Sequence, residues 1–178
     1  MLRLRPYKAD DAKVITTWIK DEYGFRQWSA DRYEKYPITP EDMNRYYDRE
    51  DNTNVWGMTA FDDTGIVGHF TMRFLDEKKE EIRLGFIIID DQKRGKGYGK
   101  EMLSLGVQYA FSFLKAKKVS LGVFENNQAA YGCYKACGFQ EVKLEQPECY
   151  SCMGQVWNCI EMELLLQTFT KMENYEIV

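Results

Sequence analysis

The sequence predicts an α/β protein in which helices pack against a central β-sheet, and three observations support this class. Strand-like and helix-like segments alternate along the chain. The run Phe86–Ile89 is apolar without interruption, which is typical of a strand buried on both faces. Hydrophobic residues make up 44% of the 178 residues and charged residues 29%, as in globular proteins with a core. This length, with no linker-like stretch, predicts one domain over residues 1–178.

The N-terminal part of the chain predicts a strand followed by two helices. Leu2–Arg5 has the pattern of a short strand, and the aspartates at 10–11 can cap a helix that runs to about Lys20. A polar, aromatic-rich stretch follows over residues 21–39. A second helix begins at Thr39–Asp42, where proline takes the first helical position and acids occupy the first turn.

The middle of the chain predicts three strands. Val55–Phe61 and Ile66–Leu75 flank the turn Asp62–Gly65, which is the pattern of a β-hairpin. Glu80–Ile89 alternates at first and then becomes the apolar run. The remaining elements are predicted, in order, as a helix over 97–115, a strand over 119–124, a helix over 127–137 ended by Gly138, closing strands over 139–144 and 156–166, and a tail or short helix over 167–178.

Charge and composition exclude several classes of function. Lysine and arginine number 24 against 28 acids, and the resulting net charge of −4 argues against nucleic-acid binding. No apolar run approaches the ~18 residues of a membrane span, and residues 1–8 lack the apolar region of a signal peptide. The five cysteines are odd in number, so we expect reduced thiols and a cytoplasmic location. Cys149 and Cys152 have ligand-like spacing but no nearby histidine, so we expect no metal site.

A glycine-rich turn links the buried strand to the next helix. Arg94–Gly99 reads Arg-Gly-Lys-Gly-Tyr-Gly, and its glycines let successive backbone N–H groups turn toward one point. The helix N-terminus and the side chains of Lys93, Lys96 and Lys100 add positive charge. The turn therefore predicts a pyrophosphate site. It is not a Walker loop, because Lys100 is followed by Glu101 rather than Ser or Thr.

A second motif lies about thirty residues further on and makes the pattern specific. Val123–Phe139 combines a strand end, Asn-x-x-Ala at Asn127, a tyrosine at Tyr134 and a closing Gly-Phe pair. Arg94–Gly99 and this segment together resemble the two signature motifs of the GNAT superfamily of acyl-CoA-dependent N-acyltransferases. The resemblance implies a mixed, mostly antiparallel sheet of about six to seven strands with helices on both faces. Two parallel strands, over residues 83–89 and 119–124, would splay apart at the cofactor cleft.

The resemblance also implies an activity. Acetyl-CoA would be the co-substrate, with no metal, and its acetyl group would pass directly to a primary amine. The acceptor would be a small cationic amine or a protein N-terminal amine, and a homodimer is a further expectation. The alternative is a non-catalytic acyl-CoA-binding or sensor module on the same fold. An intact Tyr134 favours the enzyme.

Individual roles carry over residue by residue. Tyr134 would be the general acid that protonates the leaving thiolate, on the same helix face as Asn127. The backbone of Ile87 and Ile89 would bind the pantetheine arm and polarise the thioester carbonyl. The residues expected to bind the cofactor are Ile87, Ile88, Ile89, Arg94, Gly95, Lys96, Gly97, Tyr98, Gly99, Lys100 and Asn127. Asn127 can equally be the cap of its own helix.

The general base is the point where the sequence departs from the family. The family often has a glutamate six residues before the apolar end of the strand, and here that residue is Arg83. Glu81 is the substitute candidate and His69, with an ordinary pKa near 6.5, the second. Each also has a non-catalytic interpretation: Glu81 as a solvated carboxylate at the strand edge, and His69 as a structural histidine. Seven aromatic residues before the sheet-forming segments either belong to the core or form the wall of an acceptor pocket. They are Tyr23, Phe25, Trp28, Tyr33, Tyr36, Tyr46 and Tyr47.

Overall fold

The computed structural model describes residues 1–50 and 54–175. Its strands are β1 (Arg3–Pro6), β2 (Val55–Asp62), β3 (Gly65–Phe74), β4 (Glu81–Ile89), β5 (Lys118–Phe124), β6 (Gln140–Glu141), β7 (Glu148–Cys152) and β8 (Gln155–Leu165). Its helices are α1 (Ala12–Ile15), α2 (Glu22–Ser29), α3 (Pro40–Tyr47), α4 (Tyr98–Gln108), α5 (Gln128–Ala136) and α6 (Leu166–Tyr175).

All eight described strands belong to one sheet, in the order β1-β2-β3-β4-β5-β8-β6, with β7 also paired to β8. Every pairing is antiparallel except that of β4 with β5. The predicted mixed, mostly antiparallel sheet is therefore confirmed. It has eight strands instead of six to seven because residues 140–165 contain three strands where the sequence predicted two.

The parallel pair opens after a short zipped segment. Only Glu81–Arg83 of β4 is in register with Lys118–Ser120 of β5, and the two strands diverge beyond that point. On its other edge β4 carries an irregularity opposite the segment from His69 to Thr71, and Phe86 there has a φ of 47°. Such a bulge bends a strand and increases its twist. The divergence leaves one edge of the second half of β4 without a neighbouring strand.

Helices cover both faces of the sheet. On one face α4, α5 and α6 enclose the main core, which includes Phe70, Leu121 and Met162, all fully buried. On the other face α1, α2 and α3 enclose a second cluster around Phe25 and Met43. Burial of such large side chains is the main favourable contribution to folding, at roughly 1.5–3 kcal/mol for each of them. The two layers meet the gap between β4 and β5 from opposite sides.

Local sequence signals explain where several helices begin. Thr39 caps α3 through a reciprocal capping box with Asp42, as the sequence predicted. Asp21 caps α2 by accepting a 2.7 Å hydrogen bond from the Gly24 N–H. In the described part of the chain, no helix combines enough length and apolar character to cross a membrane.

Several predicted elements differ in extent from those observed, among them the strand over 139–144, which is only β6. The first helix is divided into two 3-10 turns around α1 and ends at Trp18. The predicted helix over 97–115 is α4 followed by a π-helical turn over Tyr109–Phe113. The segment from Leu166 to Tyr175 is a helix, which is the second of the two expected forms, and residues 176–178 lie outside the described residues.

Candidate active site

The glycine-rich turn has the geometry of an anion cradle. Gly95 and Gly97 have φ values of 73° and 87°, which favour glycine over any residue with a Cβ. A Cβ at either position would meet no atom within 4 Å, so the space above the turn is open. Gly97 precedes α4, whose first N–H groups lack partners within the helix and carry the positive end of its dipole. The residues present therefore fit a pyrophosphate group.

The cations around the turn divide into tethering and exposed groups. Arg94 donates from Nε to the Ile89 carbonyl (3.2 Å) and from Nη2 to the Trp18 carbonyl (3.4 Å), which ties the turn to the end of β4. The Lys96 ammonium donates to the Gln92 carbonyl (2.9 Å) but stays exposed. Lys100, also exposed, lies close enough to help lower the pKa of the Cys133 thiol.

Tyr98 and Lys93 are bound to the β2–β3 hairpin. The Tyr98 hydroxyl donates to Asp62 (3.2 Å), and the Lys93 ammonium lies 3.5 Å from the same carboxylate. Hydrogen bonds from Thr64, with a further contribution from Lys93, lower the pKa of Asp62 to about 2. Because the Tyr98 side chain is bound to the hairpin, its backbone N–H is the group that this residue can offer to the anion cradle.

The last residues of β4 lie along the open edge. Ile88 is 6% exposed and packs into the cluster beneath α1, α2 and α3. Ile87 and Ile89 are half-buried and pack against the core on the α4 side. Because the strand has already parted from β5, its edge backbone groups at these positions face the gap. An extended polar chain can pair with such an edge as an added strand does.

Asn127 caps helix α5. Its side-chain oxygen accepts from the Ala130 N–H at 3.2 Å, and its own N–H donates to the Phe124 carbonyl at 2.8 Å. The structure thus shows the capping role that the sequence allowed. The predicted contact with the cofactor arm remains a prediction.

Tyr134 lies on α5 with only 6% of its surface exposed. Burial raises the pKa of its phenol well above the ordinary value, with smaller contributions from Cys133, Cys137 and Cys159. The phenol is therefore neutral over the physiological range and can donate a proton. No described residue makes a hydrogen bond to its hydroxyl, which leaves that donor available to a ligand.

The two predicted base candidates lie outside the opening between β4 and β5. The Glu81 carboxylate accepts from the Ser120 hydroxyl (2.8 Å) and pairs with Lys118 (2.8 Å), at the end where the strands are still joined. His69 is fully buried, with Nε2 2.6 Å from the Tyr47 hydroxyl, and burial lowers its pKa to about 3. His69 is therefore the structural histidine and not a base.

A cavity of about 160 Å³ opens from the gap toward α2, and we call it the α2 cleft. Its wall consists of residues of α2 and the following turn, α3, β2, β3, β4, β5 and the β7–β8 hairpin. Aromatic residues form much of the lining, namely Trp28, Tyr46, Phe86, Phe124 and Tyr150. Three arginines also line it, namely Arg32, Arg73 and Arg83. Of the predicted aromatic set, Trp28 and Tyr46 line the cleft, whereas Phe25 and Tyr33 are core.

Comparison with known proteins identifies the family. The model of the acetyltransferase (GNAT) domain matches residues 1–140. The chain belongs to the GNAT acetyltransferase family. Within this family, the spermine/spermidine N(1)-acetyltransferase of Bacillus subtilis is 38% identical over 65 residues, which are 36% of this chain and 43% of that protein. The chain thus spans less than half the length of that relative.

Two further comparisons extend over most of this GNAT chain. The spermidine N(1)-acetyltransferase of Vibrio cholerae is 23% identical over 145 residues, 79% of each protein. The crystal structure of spermidine N-acetyltransferase from Vibrio cholerae in complex with CoA and spermine has a TM-score of 0.79 at 19% identity. It covers 95% of this chain and 98% of that one. At this identity the likeness establishes the shared fold.

One feature of this GNAT domain was not predicted, namely an ion pair between Arg83 of β4 and Glu161 of β8. The Arg83 guanidinium lies 2.5 Å from the Glu161 carboxylate, and the side chains are only 19% and 17% exposed. Gly122 makes room for the pair, because a Cβ there would lie 2.9 Å from the Arg83 Nη2. Alternation along β8, with Met162 and Leu164 buried and Glu161 and Glu163 on the opposite face, is the sequence signal that places this carboxylate.

The described residues were also compared with the arrangements that hold metal ions. Within residues 1–50 and 54–175, no group of three or more His, Cys, Asp and Glu side chains is arranged to hold a metal ion. Cys133 and Cys137 instead face each other on α5, and a hydrogen bond between their thiols lowers the pKa of Cys133 to about 7. Cys152 is buried beside Trp157 in a small cluster under the β7–β8 hairpin.

Proposed function

We propose that this protein is an N-acetyltransferase that moves the acetyl group of acetyl-CoA to a primary amine. The observation that carries the proposal is the opening of β4 from β5 beside a neutral, buried Tyr134. The glycine-rich turn follows the open half of β4, and residues of β4 and β5 from the opened part of the pair line the α2 cleft. This arrangement lets a long cofactor approach from one side and an acceptor from the other.

The residues present support acetyl-CoA as co-substrate, which would supply an acetyl group activated as a thioester. The N–H groups of Arg94–Gly99 and the charges of Lys96 and Lys100 would hold its pyrophosphate. The open backbone edge at Ile87–Ile89 would pair with the pantetheine arm, with Asn127 beside it. In that position an N–H group of β4 would also stabilise negative charge on the thioester oxygen.

The proposed transfer takes place in one step without a covalent enzyme intermediate. The lone pair of the acceptor nitrogen forms a bond to the acetyl carbon, and the carbon–sulfur bond breaks. The electron pair of that bond goes to sulfur, and Tyr134 donates a proton to the thiolate. The nitrogen loses one proton, so a base is needed on the acceptor side.

We propose Glu161 rather than Glu81 as the group that accepts this proton through water. Glu81 was the prediction from the sequence, but its carboxylate is bound to Ser120 and Lys118 at the joined end of the strands. Glu161 lies next to Arg83 and Gly122, both of which line the α2 cleft. Arg83 would hold the carboxylate in position while leaving lone pairs available to a water molecule.

The relatives named above are acetyltransferases of spermine and spermidine, which are small primary amines. This favours a small amine over a protein N-terminus as the acceptor class. One solved relative is described as a dodecameric spermidine N-acetyltransferase, so assembly into a homo-oligomer is part of the proposal, as is a cytoplasmic location.

The proposal is tested by thiol release on mixing the protein with acetyl-CoA and a panel of primary amines. We expect release that depends on the amine and an acetylated amine as product. Tight acetyl-CoA binding with no release on any amine would support the non-catalytic binding module instead. Tyr134→Phe should lower kcat by about 100-fold or more while leaving acetyl-CoA affinity nearly unchanged.

A further inference from the structure

Among the described residues, the charged side chains that line the α2 cleft are all positive. Arg32, Arg73 and Arg83 are the ionisable residues of the lining that are charged at neutral pH, and no carboxylate belongs to the described lining. Carboxylates close to the lining already have partners, among them Glu148, which accepts from the Tyr150 hydroxyl and helps to raise the pKa of Arg83. Glu161 pairs with Arg83 at 2.5 Å, and Asp31 pairs with Arg32 at 2.6 Å.

Arg73 and Arg83 are direct cross-strand partners on β3 and β4. Like charges directly opposite each other in an antiparallel pair are destabilising. Glu161 neutralises Arg83, but Arg73 has no ion-pair partner among the described residues and is exposed. The fold therefore keeps a like-charge pair in the lining of the cleft, and the described carboxylates Glu161 and Glu148 act on Arg83.

Arg32 has two side-chain partners, Asp31 and Tyr150, on another wall of the same cleft. Its Nη2 donates to the Tyr150 hydroxyl at 3.2 Å, and its guanidinium carbon lies 5.4 Å from the centre of the Tyr150 ring. The Tyr150 hydroxyl in turn donates to Glu148 at 2.5 Å. A guanidinium fixed in this way is pre-organised to bind a planar or tetrahedral anion with little further loss of freedom.

We infer that the amine acceptor also carries an anionic group, a carboxylate or a phosphate, which Arg73 and Arg32 bind in the α2 cleft. The inference rests on the proposed function and names its substrate class. A polyamine offers only positive charge and N–H donors, whereas the cleft presents the guanidinium of Arg73, which has no ion-pair partner among the described residues. An amino acid or an aminoalkyl phosphate supplies the complementary charge at a distance from its reacting nitrogen.

The experiment compares ω-amino acids of increasing chain length, each beside its carboxamide, together with 2-aminoethyl phosphate and spermidine. We expect kcat/KM for the best anionic acceptor to exceed that of its uncharged amide by about tenfold to a hundredfold. Arg73→Gln should remove most of this preference and leave the KM for acetyl-CoA unchanged. Arg73→Glu should shift the preference toward spermidine. Lys13→Gln, which removes an exposed cation of α1, is the matched control and should change neither ratio.

Two results separate failure of this inference from failure of the proposed function. Amine-dependent thiol release that is equal or better with spermidine, and unaffected by Arg73→Gln, would overturn the anionic acceptor while keeping the enzyme. No release with any amine would overturn the enzyme. Calorimetric binding of the ω-amino acids then decides the anion site, because binding that is lost in Arg73→Gln supports it and absence of binding contradicts it.

Discussion

Arg83 and Glu161, which are 78 residues apart in the sequence, form a 2.5 Å ion pair beside the point where β4 leaves β5. Burial opposes the charge on Arg83, yet the hydrogen bond from its guanidinium to Glu161 is strong enough to raise the pKa of Arg83 above its ordinary value. Arg83 is thus the cation of a pair whose carboxylate comes from β8, two strands away in the sheet, and the pair passes over Gly122 of β5. The carboxylate lies beside the residues that line the cleft.

This pair gives a prediction about the base. Glu161→Gln should lower kcat at neutral pH by about 100-fold, the usual size of a general-base contribution, whereas Glu81→Gln should lower it by less than about threefold. Both are measured by steady-state thiol release with acetyl-CoA. The double variant Arg83→Gln/Glu161→Gln controls for the unpaired arginine, and a normal rate in that variant would exclude Glu161 as the base.

The same variants give a prediction about stability. Glu161→Gln leaves the largely buried Arg83 guanidinium without its counter-ion and should lower the free energy of unfolding by about 2 kcal/mol. The double variant should recover part of that loss. Urea denaturation measures both. Equal stability of the wild type and Glu161→Gln would mean that solvent already screens the pair.

His69 predicts how stability depends on pH. Its pKa is about 3 in the folded protein against about 6.5 when unfolded, so below pH 6.5 the unfolded chain binds more protons than the native state. The contribution of His69 is therefore fully present above pH 6.5 and is lost as the pH falls toward 3. Between pH 7 and pH 4.5 the wild type should lose about 2 kcal/mol more than His69→Phe, measured by urea denaturation at the two pH values. The same loss in both proteins would show that His69 is accessible to protons in the native state.

The glycine-rich turn predicts a glycine-specific effect. Gly97 has a φ of 87°, so Gly97→Ala should lower the free energy of unfolding by about 1–2 kcal/mol and raise the KM for acetyl-CoA. Gly132→Ala is the matched control, since Gly132 lies in α5 with ordinary backbone angles and open space around its Cα. The control should be neutral or stabilising by up to about 1 kcal/mol. A similar KM for acetyl-CoA in both variants would show that the turn does not bind the cofactor.

The sequence predicted those features that depend on neighbouring residues. The Thr39–Asp42 helix start, the hairpin turn at Asp62–Gly65 and the glycine turn before α4 all have local physical causes, and each lies where it was predicted. Helix α2 was missed because its residues include a glycine and several aromatics, which favour a helix weakly. The burial of Phe25 against the second cluster, together with the Asp21 cap, stabilises it.

The β7–β8 hairpin and the wall of the α2 cleft could not be predicted from the sequence and are known only from the structure. Met153 and Gly154 both have positive φ values, 53° and 73°, and form the two-residue turn between the paired residues Cys152 and Gln155. Such turns favour an Asn-Gly or Asp-Gly pair, and a methionine in the first position hides the signal. Alternation along β8 indicates the face on which Glu161 lies, but its pairing with Arg83 depends on strand order, which no local pattern indicates.

Incubation of the protein with acetyl-CoA labelled in its acetyl group, followed by mass spectrometry of the amine, tests the central claim most directly. The account predicts that the label appears on the nitrogen of the acceptor with the wild-type protein and is reduced by about 100-fold with Tyr134→Phe at unchanged acetyl-CoA affinity. Label that remains on CoA or appears only as free acetate, while the protein binds acetyl-CoA tightly, would contradict it.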